Sequence, residues 1–143
     1  MARIDRHRLE NAVFPEQYEF PLRFDDVDTH GHITTGAVAT LFQEARRRFN
    51  MKRAATLLDA KWGVVVGSLH IDFVDRMHYP TSVEVGTGIL EIGRSSFVLG
   101  QIGRQAGRVA ALAEVTLVAT EFERPAPLPD HVRMALDQAL IRF

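Results

Sequence analysis

The chain has 143 residues, 46% apolar and 24% charged, with a formal net charge of -1 and no cysteine. That is one domain with enough apolar material for its own core. It excludes disulfides, a thiol nucleophile and Cys-ligated zinc, and the near-neutral charge balance argues against nucleic acid as a partner. No apolar run approaches the roughly 20 residues that span a bilayer. Arg3, Arg6 and Arg8 precede no apolar stretch of the signal-peptide kind. The expectation is a soluble cytoplasmic protein with no membrane partner.

In chain order, positions 1–16 are polar and charged and read as an N-terminal arm with at most a helical turn. Tyr18 to Phe24 alternates in part and contains Pro21, which predicts a first strand at a sheet edge. Asp25 to His32 is too polar for a core and predicts a loop. Thr34 or Thr35 can cap the helix that follows. Val38, Leu41, Phe42, Ala45 and Phe49 fall on one face of it. No glycine or proline interrupts Ala37 to Leu58, so one long helix and a bent pair are both open. Arg46, Arg47 and Arg48 point about 100° apart and read as a solvated or interface face with local anion contacts.

From Trp62 the period changes to that of strands. Val64 to Phe73, Val83 to Ile89, Ser96 to Ile102 and Arg108 to Thr120 alternate in turn. Val109, Ala111, Ala113, Val115 and Leu117 share a face of the last. Three hairpin-like links predict an antiparallel sheet covered on one face by the long helix, an α+β domain. Gly86, Gly88, Gly93, Gly100 and Gly103 read as turns and bulges. Pro125, Pro127 and Pro129 make a stiff linker, and Asp130 can cap a final helix to Ile141. Positions 125–143 thus form a Pro-rich linker and a C-terminal helix within the single domain.

Asp26-x-Asp28-x-His30-x-His32 alternates four ligand-type residues, which would suit a divalent ion on an extended strand. Gly31 and the helix behind it suggest a bent loop instead, so no metal is expected. Taken alone, Asp28 is as well explained as a cap or turn former. The histidines are as well explained as exposed side chains bonded to the backbone. The free N–H groups of the helix start at 31–35 can polarise a carbonyl without any special side chain.

The run Phe24-Asp25-Asp26-Val27-Asp28-Thr29-His30-Gly31-His32-Ile33 resembles the motif that opens the central helix in the 4-hydroxybenzoyl-CoA thioesterase-like branch of the hotdog superfamily. Phe42-Gln43-Glu44-Ala45-Arg46 is similar to the Phe-x-Glu-Ala-Arg of that helix. Ile92 to Phe97 is similar to a hairpin farther on. The resemblance spans Tyr18 to about Glu121. Two departures stand out: Thr34-Thr35 replaces the usual Asn-Asn pair, and Ala37-Val38 stands where a Tyr often follows.

The resemblance implies a hotdog fold, an antiparallel sheet wrapped around a long helix. It implies hydrolysis of an acyl-CoA or acyl carrier protein thioester, with no cofactor beyond the coenzyme A of the substrate. Asp28 matches the carboxylate that acts as nucleophile or general base, and the oxyanion donor falls near Thr35. His32 takes a supporting role. Glu44 ranks second as catalytic acid, against a plain ion pair with Arg47 or Arg48. Arg94, Ser95 and Ser96 fall where the phosphates of coenzyme A would be met. Two subunits join sheets edge to edge, giving a homodimer or homotetramer whose sites draw on both chains. The alternatives are a non-hydrolytic hotdog protein that binds acyl thioesters and a hotdog hydratase or dehydratase, whose helix motif is not found.

Overall fold

A computed structural model describes residues 4–54 and 61–143. The elements are α1 (Arg6–Glu10), β1 (Glu16–Phe20), a 3-10 turn (Phe24–Asp26), α2 (Thr35–Arg53), β2 (Trp62–Phe73), β3 (Val83–Ile92), β4 (Ser96–Gln105), β5 (Arg108–Glu121), β6 (Arg124–Pro125) and α3 (Asp130–Asp137). They form an antiparallel sheet in the order β1-β3-β4-β5-β2, with β6 pairing β5. The sheet curls around α2, and this is the hotdog architecture.

The sheet corrects part of the sequence reading. Of the three expected links only β3–β4 and β4–β5 are hairpins, because β2 pairs with β5 rather than β3. The segment 74–82, which carries a cis Tyr79–Pro80 bond, crosses from one side of the sheet to the other. Alternation reveals that a strand has two faces but not which strand it pairs with. β1 covers Glu16–Phe20 instead of Tyr18–Phe24, since Pro21 has no N–H to continue the ladder.

On α2, Val38, Phe42, Ala45 and Phe49 are buried at the spacing of one helical face, while Leu41 is half-buried. Thr34 is the N-cap, its Oγ1 accepting from Ala37 N at 3.1 Å. The helix ends at Arg53, so the extension to Leu58 lies outside the described residues. Phe42 is fully buried. Its ring lies 3.0 Å from where a Cβ on Gly103 would stand, so glycine there lets the helix approach β4. Phe42→Ala should cost about 3–5 kcal/mol, the range for deleting a core aromatic ring. Chemical denaturation checks this, and a loss under about 1 kcal/mol would mean the helix is not seated through this ring.

The opposite face of the sheet has its own core: Ile4, Leu9, Phe14, Ile102, Val109, Leu112 and Ile141. The N-terminal segment is thus a packing element rather than an arm. Gly88 is no turn residue: it sits mid-strand opposite Gly100, and a Cβ there would come 2.6 Å from Ile141 and Pro15. Val109 faces this second core, away from Ala111, Ala113, Val115 and Leu117. A register shift beside Ala110 turns the strand over, as a β-bulge does. At the C-terminus α3 begins after Pro129 as N-cap and stops at Asp137. The tail then exchanges backbone bonds with Ile89, extending the edge of β3 beyond the end of β1.

Candidate active site

The loop before α2 is a small hairpin. Thr34 N donates to Asp26 O at 2.9 Å and Asp28 N to His32 O at 2.8 Å, and Val27 bridges Ile33. Gly31 makes the reversal at φ 77°, a conformation that favours glycine. Ile33 N donates to Met77 O at 3.0 Å, which fixes the loop to the crossover segment. Asp28 is thereby folded back beside the residues that enter the helix.

Asp28 Oδ1 accepts from His30 N at 2.8 Å and from His32 N at 3.0 Å. These backbone bonds hold its pKa below the ordinary aspartate value, with smaller help from the two imidazoles. The side chain is exposed, and Oδ2 takes no part in these bonds. Asp26 is turned away, accepting from Arg23 N at 2.8 Å and pairing with the Arg23 guanidinium. At the helix start, Thr34 N is taken by Asp26 O and Ala37 N by Thr34 Oγ1. The N–H groups of Thr35 and Gly36 have no acceptor within the helix. No acidic side chain in the first turn competes for them.

His32 packs edge-on against His78, ring centroids 5.1 Å apart, and its backbone bridges His78. Gln105, almost fully buried, fixes that segment: Oε1 accepts from His78 N, and Nε2 donates to the carbonyls of His78 and Thr81, each at 2.7 Å. Neither His78 nor Gln105 stood out in the sequence, because their meeting depends on the β2–β3 crossover. A cavity of about 150 Å³ opens here, lined by His32, Thr35, Val38, Phe73 and Met77 among others. Among the described residues no group of three or more His, Cys, Asp or Glu side chains is placed to hold a metal.

The other site candidates lie elsewhere. Glu44 pairs with Arg48 at 3.5 Å on the solvent side of α2. Arg94 and Ser95 lie in the β3–β4 turn and Ser96 opens β4. That turn is at the end of the sheet where β2 begins and β5 finishes, whereas Asp28 is at the end where β2 finishes. Within one chain they do not meet. Of the three successive arginines, Arg47 and Arg48 are exposed but Arg46 is 6% exposed, which corrects its reading as a solvated or interface residue. Its Nη1 donates to Gln101 Oε1 at 3.0 Å, and Gln101 Nε2 donates to Phe42 O and Thr87 Oγ1.

A curled sheet around one helix, with a loop carboxylate beside that helix's open N-terminus, defines a hotdog protein of the thioesterase type. The family model of the thioesterase-like superfamily matches residues 22–136, and the chain belongs to that family. Solved structures agree. A predicted thioesterase from Bacillus stearothermophilus is 28% identical with TM-score 0.80, over 87% of this chain and 95% of that one. A thioesterase from Thermus thermophilus, complexed with coenzyme A and Zn, is 26% identical with TM-score 0.78, over 88% and 94%. A gentisyl-coenzyme A thioesterase is 26% identical with TM-score 0.75, over 85% and 99%. No protein of curated function matches the chain.

Proposed function

We propose that the protein hydrolyses an acyl-CoA thioester, with Asp28 as the reacting carboxylate and the Thr35 and Gly36 N–H groups as the oxyanion donors. The observation that carries this is Asp28 held ionised by two backbone N–H groups, close in the chain to a helix start whose Thr35 and Gly36 N–H groups have no acceptor within the helix. The donors and the helix dipole stabilise negative charge developing on the thioester oxygen. Oδ2 of Asp28 then attacks the carbonyl carbon or takes a proton from the attacking water. By the first route the C–S bond breaks, coenzyme A leaves as its thiolate and a water then cleaves the acyl–Asp28 anhydride to the free acid. By the second, water adds to the carbonyl carbon, and collapse of the adduct breaks the C–S bond and expels the thiolate, which takes up the proton. His32 holds the loop through its backbone, and Glu44 contributes to the helix surface rather than the chemistry.

The working form is a homodimer. β2 is an edge strand, and Val66, Leu69 and Phe73 on it remain about half exposed (53%, 47% and 51%). Their cross-strand neighbours Leu117, Val115 and Ala111 belong to the core on the α2 side. A strip of apolar surface therefore flanks α2 along an unpaired edge, an arrangement that pairing removes. Two copies of one strand related by a two-fold axis pair antiparallel. That brings the Arg94–Ser96 turn of the partner to the end of the sheet that holds Asp28. There Arg94, Ser95 and Ser96 offer a cation and hydroxyls to the coenzyme A phosphates.

The test is a panel of acyl-CoAs followed by release of free thiol. Hydrolysis of at least one of them is expected, undiminished by EDTA, since the steps above use only a carboxylate and backbone donors. A protein that binds acyl-CoA without releasing thiol would be the non-hydrolytic alternative. Activity lost to EDTA and restored by a divalent ion would overturn the mechanism.

A further inference from the structure

A second, larger cavity of about 560 Å³ lies between the later turns of α2 and the start of β2, lined by Arg46, Arg47, Asn50, Val64, Val66 and Leu117 among others. Its walls are mostly apolar, yet two polar groups in it are incompletely matched. Arg46 is buried and is held by a neutral partner, Gln101, through Nη1. No carboxylate lines the cavity among the described residues. Asn50 Oδ1 is buried with no hydrogen-bond partner among the described residues. Burial of Arg46 lowers its pKa from the ordinary arginine value. A buried cation without a counter-charge and a buried amide oxygen without a partner, as these are among the described residues, are each costly, and both residues line the same cavity.

Within one chain this cavity is remote from the helix start. Arg46 is eleven residues along α2 from Thr35 and Asn50 fifteen, or about 16 and 22 Å at 1.5 Å per residue. α2 runs along the strands: its start shares one cavity with Phe73 and Ala111, and its later turns share the other with Val64 and Leu117. Antiparallel pairing through β2 therefore sets the helix start of the partner beside this cavity. An acyl group whose thioester lies at one subunit's helix start points into the other's cavity.

From this we infer that the cavity is the acyl pocket of the dimer, and that Arg46 and Asn50 select acyl groups with an apolar body ending in a carboxylate. Nε and Nη2 of Arg46, which the Gln101 bond does not use, donate to the carboxylate oxygens, and the Asn50 amide on the same wall donates through Nδ2. This rests on the thioesterase reading for its choice of substrate, so its test uses binding as well as turnover.

S-(5-carboxypentyl)-coenzyme A and S-hexyl-coenzyme A are thioethers that cannot be hydrolysed and differ by one terminal carboxylate. Titration calorimetry on the full-length protein should show the carboxylated analogue binding at least tenfold tighter. Arg46→Met should collapse that ratio toward one, and Asn50→Leu, which leaves the Gln101 bond in place, should reduce it should the first variant fail to fold. Equal affinities in the wild type, or a loss in Arg46→Met that is the same for both analogues, would overturn the inference and leave Arg46 a structural group. Selective binding alongside no hydrolysis of adipoyl-CoA or of any other acyl-CoA in the panel would defeat the thioesterase reading while keeping this one.

Discussion

Asp28→Asn should lower kcat/KM by about 10²-fold or more, the scale associated with removing a positioned acid–base or nucleophilic group. The variant is a fair probe because asparagine keeps an oxygen where Oδ1 accepts from His30 and His32, so the loop retains both bonds. Only the charge and the reactive oxygen are lost. Thermal unfolding should therefore stay close to wild type while thiol release falls. The wild-type pH profile offers an independent check. The folded pKa of Asp28 is depressed, so the carboxylate persists as pH falls and is lost only below the usual aspartate range. Activity should be flat from neutrality down to that range. An acid limb near pH 6 to 7, typical of a histidine, or an Asn variant with most of its activity, would move the chemistry to His32 or His78.

Leu69→Lys should convert the dimer to monomers at low micromolar concentration and abolish most thiol release. Leu69 lies near the middle of β2, half exposed, on the face shared with α2. At an edge-to-edge interface the lysine ammonium would be buried against apolar surface. The two-fold axis counts every substitution twice, and each uncompensated polar group costs on the order of 1–3 kcal/mol. Fold stability should change little, because the side chain is half exposed in the single chain. Light scattering and an acyl-CoA assay on one sample separate the outcomes. A variant that stays dimeric would place the interface elsewhere than β2. A fully active monomer would contradict a site shared between chains.

The local chemistry of this protein was legible in the sequence. The polar run 25–32, Gly31 and the Thr34 cap follow from side chains acting on their own backbone. So does the apolar stripe of α2, since 3.6-residue periodicity is a property of contiguous residues. The resemblance at Phe24 to Ile33 supplied the family because that motif is contiguous too. Only the tertiary structure decided which strand pairs with which, since alternation is the same for any partner. It also decided that Val109 faces away from Ala111, because the register shift at Ala110 is set by the neighbouring strand. Gly88 and Gly103 read as turn or bulge positions; a register shift does follow Gly103, but only the packing shows that Ile141 and Phe42 occupy the space a Cβ would need there. Arg46 is the sharpest case. Three successive arginines look alike in sequence, and which of them is buried depends on how the helix is rotated against β4, where Gln101 and Gly103 take it in.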